Sequence, residues 1–371
     1  MIYVANIRFP TQKAHGVQIA ENLTEFARQG VAVTLVVPNR RNPLTWLPAY
    51  RTGRPDLQVK PFSYYGLPEQ KVVGLWTLDL VDFLKPIGFY IQHVTFAISA
   101  FLYILREPKD TIIYGRDELV FALIKIFTPV RRVYYELHDY PEKFLFFWHF
   151  LLTRLNGIIS TNNWKKNELM RTYGIPSEKI IVARNGVDLV KFGIDESKED
   201  LRRKLGLPLE ATILGYVGQL KTMGVKKGVE EIVEAVEEIK KDFPEVHLKV
   251  VNNVPHSEIP KYLKAFDILL MPFPNTTHYA YYMSPIKMFE YMAAGKSIIA
   301  TDLPSIREVL DDSSALFISD SSVVNITRAI RTLIENAKLR SDLGKRVREL
   351  ALNYTLEKRT NNILSFINNH V

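Results

Sequence analysis

Short runs rich in Val, Ile and Leu recur along this chain, and each is followed by a segment with apolar residues at helical spacing. Such runs stand at 2–6, 31–38, 111–114, 132–136, 157–161 and 179–183, with helical patterns at about 17–29, 86–105, 118–127, 144–152 and 163–172. The alternation returns at 212–218, 246–251, 267–271 and 297–300, with helical patterns at about 229–242, 257–265 and 285–294. Strands apolar on both faces belong in parallel sheets covered by helices on either side. The pattern predicts an α/β protein of two doubly wound, Rossmann-like domains. The reading puts the first at 1–188 and the second at 189–354, joined through a polar stretch at 189–210.

Ligands of doubly wound sheets bind beyond the carboxyl ends of the strands, so the loops there are where chemistry is sought. After the first strand, Gly16 stands where a helix opens, either as a turn residue or to let an anion or substrate approach. The loop lacks the G-x-G-x-x-G fingerprint, which weakens a nicotinamide dehydrogenase reading. Arg116 follows the strand at 111–114, and His138 follows the strand at 132–136. A histidine at a strand end can donate to a sugar hydroxyl or a reacting oxygen, although a lone histidine is more often structural. In the second half, Gly218 is followed by Lys221, Lys226 and Lys227. Then comes the run 284–296. Ser284 is read as N-cap, Pro285 as first helical residue and Gly295 as left-handed stop. The start of that helix is an anion site, since free N–H groups and the dipole both point at it. Glu290 lies about 9 Å further along the axis, either as a solvated side chain of a capped core helix, the commoner case, or where the hydroxyl pair of a bound nucleotide would fall.

Composition adds exclusions. There is no Cys, which rules out disulfides and thiolate sites and fits a reducing cytoplasm. Met1 leads straight into a strand, with no cleavable signal in view. The net charge of +8 is uneven: residues 1–190 hold 23 Lys and Arg against 16 Asp and Glu. No cluster of basic residues with interleaved aromatics suggests nucleic acid. A basic half fits an anionic membrane surface or a phosphorylated acceptor. Residues 86–105 carry no formal charge and are long enough to span a bilayer, but Gln92, His93, Thr95 and Ser99 favour a buried helix. Residues 144–152 are densely aromatic, read as core or as an amphipathic contact with lipid.

These residues carry a resemblance. Ala14-His15-Gly16-Val17, Asn185-Gly186-Val187-Asp188, Gly218 with Lys227-Gly228, and Ser284-Pro285 through Glu290 to Ala293-Ala294-Gly295 occur in the order seen in GT-B-fold, nucleotide-sugar-dependent glycosyltransferases of the retaining family 4. The resemblance implies that two domains face a cleft and that the last helix, at 355–371, packs back on the first. It implies a nucleoside diphosphate sugar as donor substrate, no cofactor and no metal. Glu290 would bind the ribose, and backbone N–H groups near Ser284, Ile286 and Lys287 the diphosphate. Gly218, Lys221 and Lys227 would complete the donor site. Gly16 would lie near the donor phosphates, His138 near the donor sugar as the catalytic histidine, and His15 and Arg116 on the acceptor side. The acceptor would be a glycan, a lipid-linked molecule or a small molecule, and the location cytoplasmic or peripheral at the inner face of a membrane. No Asp-x-Asp occurs, which fits positive side chains in place of a divalent ion. Two positions depart from the family pattern: Tyr282 replaces a usual glutamate and Gln219 a usual phosphate-binding arginine, with Lys221 or Lys226 as substitutes for its charge. Two other readings stay open. One is a sugar-nucleotide epimerase using Asp117, Glu118 or Glu136, and the other is a catalytically weak sugar-nucleotide-binding protein.

Overall fold

The structure is a computed structural model that describes residues 1–11, 13–41, 61–222 and 225–369; the side chains of 40, 41, 221, 222, 225 and 226 lie outside the description. The chain forms two compact units, Met1–Ala183 with Thr360–Val371, and Arg184–Arg359.

In the first unit the strands are β1 (Ile2–Val4), β2 (Thr34–Arg41), β3 (Lys71–Leu78), β4 (Ile113–Gly115), β5 (Val133–Leu137), β6 (Gly157–Ser160) and β7 (Ile180–Val182). The helices are α1 (Ala14–Arg28), α2 (Val81–Leu84), α3 (Pro86–Leu105), α4 (Glu118–Phe127), α5 (Leu145–Arg154) and α6 (Asn163–Tyr173). All seven strands are parallel, in the order β3-β2-β1-β4-β5-β6-β7. The order reverses between β1 and β4. Phe96, Ala100, Phe121, Ile124 and Leu152 fill one face of the sheet, and Ile19, Leu23, Phe26, Ile363 and Ile367 the other.

The second unit holds α7 (Lys198–Leu205), β8 (Ile213–Val217), a hairpin of β9 (Lys221–Thr222) and β10 (Val225–Lys226), α8 (Val229–Lys240), β11 (His247–Val251), α9 (Ile259–Ala265) and β12 (Ile268–Met271). It continues with α10 (Ile286–Ala294), β13 (Ser297–Thr301), α11 (Pro304–Arg307), β14 (Leu316–Ile318), α12 (Val323–Glu335) and α13 (Ala337–Ala351). Its five-stranded sheet is parallel in the order β11-β8-β12-β13-β14, reversing between β8 and β12. A last helix, α14 (Leu356–Asn369), belongs to the first unit from Thr360 onward.

The expected alternation is present, with differences. β3 and β14 are strands the pattern did not predict. Gln58-Val59-Lys60, which read as a short strand in the sequence, lie outside the described residues. α1 begins at Ala14, so Gly16 is inside the first turn rather than before the helix. α3 is not a buried helix. Gln92, Phe96, Ala97, Ala100 and Ile104 are buried, whereas Ile87, Tyr90, Val94, Ile98 and Leu102 are exposed. An uncharged sequence could not show this, because both faces of the helix are apolar.

Gly115 ends β4 at φ +143°, and a Cβ there would stand 2.2 Å from the Val4 carbonyl oxygen. That conformation lets Arg116 N–H donate to Val4 O at 3.1 Å and aims the arginine along the strand ends. We expect Gly115→Ala to lower stability by about 2–4 kcal/mol, through backbone strain and the clash with β1. Thermal unfolding of the purified variant measures it.

Candidate functional site

The strand-order reversal of the second unit is where its polar groups gather. β8 ends in Tyr216 and Val217, and Gly218 follows at φ +127°. A Cβ at 218 would lie 3.2 Å from Lys287 Nζ, so the lysine closes over this glycine. Lys287 comes from the first turn of α10. Its Nζ sits 3.8 Å above the Tyr216 ring centroid and 5.4 Å from that of Phe273, just after β12. The ammonium is buried and has no hydrogen-bond partner among the described residues. Ring faces attract a cation but give it no acceptor. Burial, then Lys227 nearby, holds its pKa well below the ordinary lysine value, with Glu290 opposing. A desolvated cation beside the free N–H groups of a helix start is a receptor for an anion.

The N-terminus of α10 differs from the sequence reading. Pro285 occupies the N-cap position and Ile286 is the first helical residue. The Ser284 hydroxyl does not cap the helix; it accepts from Asn185 N–H at 3.3 Å, while the Asn185 amide donates to the Ser284 carbonyl. The first N–H groups of α10 are thus left without a side-chain cap. Gly295 takes the left-handed C-terminal position, as its sequence context predicts.

Glu290 is 7% exposed, and His256 Nε2 lies 2.6 Å from its Oε1. The histidine opens a one-turn 3₁₀ helix, His256–Glu258, after β11. It orients the carboxylate and leaves the other oxygen for a ligand's hydroxyls. Lys227 is half-buried, and burial lowers its pKa. Lys221 and Lys226 face each other in the β9–β10 hairpin, but their side chains lie outside the described residues. Gln219 is exposed and donates to Asn253 Oδ1 at 3.2 Å. Tyr282 is buried at the end of a five-residue π-helical turn, His278–Tyr282.

The first unit gathers a second set at its own reversal, around Glu136 in β5. This carboxylate is fully buried and accepts from the Tyr114 hydroxyl at 2.6 Å and from Arg116 Nη2 at 3.3 Å. His138 Nε2 is 2.8 Å from its Oε1. Arg116 also donates to the Tyr3 hydroxyl at 2.9 Å and to Gln18 Oε1 at 2.8 Å. Burial and the Arg116 charge push His138 down to about 4, so the ring is neutral near pH 7. A neutral ring beside a carboxylate places its proton on Nε2 and leaves Nδ1 as an acceptor. The buried Lys165 ammonium fixes the loop by donating to the His138 carbonyl and to Thr161 Oγ1 at 2.6 Å. Burial, then Arg116, also pushes His15 down to about 4. Gly16 is buried; a Cβ there would meet Thr11 Cγ2 at 2.4 Å and the Tyr65 hydroxyl at 2.7 Å. The close approach at this glycine is therefore to the chain's own Thr11–Tyr65 pair.

The carboxylates considered for acid–base chemistry have structural partners. That holds for Glu136, engaged as above, and for Asp117, which caps α4 by accepting from Val120 N–H at 2.9 Å; at Glu118, burial and then the Asp117 charge instead raise the carboxyl above its ordinary pKa. A hollow of about 610 Å³ lies at the other end of α10 and is lined by Lys264, Lys296, Arg340 and Arg348 among others. Three of these cations already hold backbone carbonyls, those of Ile194, Leu333 and Ala293. This end of the sheet is remote from the strand-end set, and its charges serve the chain itself.

Residues 15–191 match the family Glycosyltransferase Family 4, and residues 244–350 match Glycosyl transferases group 1. The chain belongs to the family 4, group 1 glycosyltransferases. Among relatives, it is 25% identical over 234 residues to the Bacillus subtilis protein TuaC, named as a teichuronic acid biosynthesis glycosyltransferase, covering 55% of this chain and 57% of TuaC. The chain spans about half the length of the curated relatives it matches. Two solved structures share the fold over nearly the whole chain. Sucrose-phosphate synthase of Thermosynechococcus elongatus has a TM-score of 0.75 at 15% identity, covering 99% of this chain and 98% of that one. Anabaena HepE, in complex with UDP-glucose, has a TM-score of 0.70 at 14% identity, covering 99% of each chain. The family's GT-B fold, two parallel sheets with alternating helices, is the fold of this chain.

Sequence reasoning missed His256, Tyr216 and the Lys287 side chain as parts of the site. His256 follows a strand end, the same signal that drew attention to His138. The Lys287–Tyr216 pairing spans 71 residues and has no local signal. Lys287 also carries a stability consequence. Its lowered folded pKa means that the unfolded chain binds the proton more tightly. Stability therefore rises with pH between that lowered value and the ordinary ~10.4, and the penalty is full below the window. We expect Lys287→Met to raise stability near pH 7 by about 1–3 kcal/mol, the cost of a buried unpaired polar group. The gain shrinks toward pH 10, as paired thermal melts at both pH values will show.

Proposed function

We propose that the protein is a retaining, metal-independent glycosyltransferase that moves a hexosyl group from a nucleoside diphosphate sugar to an acceptor hydroxyl. The observation that carries the reading is the partnerless Lys287 ammonium at the uncapped start of α10. It stands at the strand-order reversal, with Glu290 about one turn further along the same helix. In this reading the diphosphate takes the N–H groups of Ile286 and Lys287 and the ammonium of Lys287. Lys227, Lys221 and the backbone at Ser284 and Gly218 complete its surroundings. Glu290, oriented by His256, accepts from the ribose hydroxyls.

The bond from the sugar's anomeric carbon to the diphosphate oxygen breaks as the bond to the acceptor oxygen forms. Negative charge grows on the leaving diphosphate, where fixed cations and N–H groups stabilise it most. The departing phosphate oxygen takes the acceptor's proton on the face it leaves, so the anomeric configuration is kept and no side chain is glycosylated. The first unit is assigned the acceptor. Nδ1 of neutral His138 accepts from a sugar hydroxyl, and His15, Arg116 and the α1 start at Gly16 shape its surroundings. The UDP-glucose in the HepE complex supports a nucleotide-sugar donor, and the name of TuaC, with its teichuronic acid biosynthesis, supports a glycan acceptor. Lys287 answers the departure at Gln219, because it returns a cation to the phosphate position. That favours a working enzyme over a weak binding protein. The engaged state of Glu136 and Asp117 argues against the epimerase.

Calorimetry with UDP-, GDP- and ADP-sugars tests the reading. We expect one nucleotide class to bind, and Glu290→Ala to weaken it by about 1–3 kcal/mol, the value of a charge-assisted hydrogen-bond pair. Lys287→Met should weaken it by about tenfold or more, a loss of about 1.4 kcal/mol. Wild-type affinity in both variants rules the donor assignment out. Turnover with the cognate sugar nucleotide should survive EDTA, and NMR of the product should show the donor's anomeric configuration. Loss of turnover on chelation, restored by a divalent ion, defeats metal independence.

A further inference from the structure

Most of the exposed large apolar side chains described in the first unit lie on α2, α3 and the end of α4; Trp76 of β3 and Phe144 and Phe146 at the start of α5 are exposed elsewhere. α3 shows Ile87, Tyr90, Val94, Ile98, Leu102 and Leu105 to solvent, each 43–66% exposed. These positions recur every three or four residues, so they form one stripe along the full length of the helix, about 30 Å at 1.5 Å per residue. The stripe is widened at one end by Phe83 and Leu84 of α2. At the other end Phe127 of α4 is 65% exposed, and its ring lies 5.6 Å from that of Phe101. Contiguous apolar surface of this extent is rare on a protein that meets only water.

We infer that this face docks on an anionic lipid bilayer, with α3 lying in the plane of the interface. Length and hydropathy alone would let α3 cross a membrane, since it is 20 residues long with a mean hydropathy of 1.5. Its inner face forbids that. Gln92 is fully buried and donates to Asn6 Oδ1 at 2.9 Å. Thr95 Oγ1 accepts from Leu78 N–H of β3 at 3.1 Å. Phe96, Ala97, Ala100 and Ile104 seal the helix to the sheet. Extracting α3 would orphan these polar groups and open the core, whereas lying flat buries the outer stripe and keeps both. One apolar face on a folded body is the geometry of an interfacial helix.

Charge decides between lipid and a second copy of the chain. The first unit holds 22 Lys and Arg against 15 Asp and Glu, a net +7. Two such units set face to face would meet like charge, while an anionic surface meets the opposite sign. The immediate rim is mixed: exposed Lys85, Arg106 and Lys109 stand beside Asp82, Glu107 and Asp110. Apolar insertion therefore supplies the hold at the stripe, and the unit's surplus charge supplies the preference for anionic lipid. Aromatic Tyr90, Phe89 and Phe83 suit the headgroup boundary.

The test is co-sedimentation of the full chain with vesicles of phosphatidylcholine, alone or with about one third phosphatidylglycerol. The wild type should pellet with the anionic vesicles and far less with the neutral ones. The triple variant Val94→Glu, Ile98→Glu, Leu102→Glu should lose at least tenfold in binding and keep its melting temperature, since all three side chains point to solvent. Should the triple variant fold poorly, Ile98→Gln alone should still weaken binding measurably. A wild type that stays in the supernatant overturns the inference, as does a folded variant that binds like the wild type. A wild-type dimer that the variant makes monomeric, seen by sedimentation velocity, assigns the face to a second copy instead. Nucleotide binding in solution does not enter these readouts, so the inference and the donor assignment stand or fall separately.

Discussion

A parallel strand ends on the same edge as its neighbours, and its return path must cross the face of the sheet. Those two facts arrange most of this molecule. Among the described residues, the connections in the two main sheets carry the chain back over a face, so helices cover both sides and the strands read as apolar throughout. Every carboxyl end meets on one edge. Where strand order reverses, neighbouring loops turn to opposite faces and a crevice is left. In the second unit that crevice falls between β8 and β12, and Lys287 occupies it between Tyr216 and Phe273. In the first unit it falls between β1 and β4, and Arg116 spans it from Tyr3 to Glu136.

The two crevices are chemically opposite. Lys287 is a cation with no acceptor among the described residues; ring faces and Glu290 oppose the cost of its burial. Arg116 is a cation engaged through Nε and Nη2 by a carboxylate, a phenol and an amide. An unsatisfied buried charge costs stability that the chain could recover with an apolar residue, so its presence points to a ligand that supplies the missing anion. A satisfied network instead fixes geometry. The Arg116–Glu136–His138 group holds a neutral imidazole in one tautomer, which suits an acceptor of hydrogen bonds more than a site of charge. The contrast supports assigning diphosphate to the second unit and neutral sugar hydroxyls to the first.

Much of this was legible in the sequence because the signals are local. Alternating apolar runs marked both sheets, Gly295 marked the end of α10, and the helical patterns marked α4, α6 and α8 within a residue or two of their observed limits. Three things were not legible. Ser284 has the right residue type for an N-cap, yet its hydroxyl is taken by Asn185, 99 residues away in sequence. β14 is three residues long and gains its identity only by pairing with β13. The outer face of α3 cannot be told from its inner face by hydropathy, because both are apolar and only the packed sheet distinguishes them. In each case a tertiary partner overrode a local preference.

The position of α3 follows from the same topology. It is the crossover between β3 and β4, strands at the edge and in the middle of the sheet, so it must travel the full height of the layer and be long. A long crossover needs one apolar stripe for the sheet, and the opposite stripe is free to be polar. Here it is not. Helix propensity does not require Ile98 or Leu102 there, since Glu or Lys would serve as well. The sheet does not require them either, because they point away from it. A second apolar stripe on a helix already satisfied by its first has a physical reason if another apolar phase covers it, and the basic surplus of the unit is the ground for proposing anionic lipid as that phase.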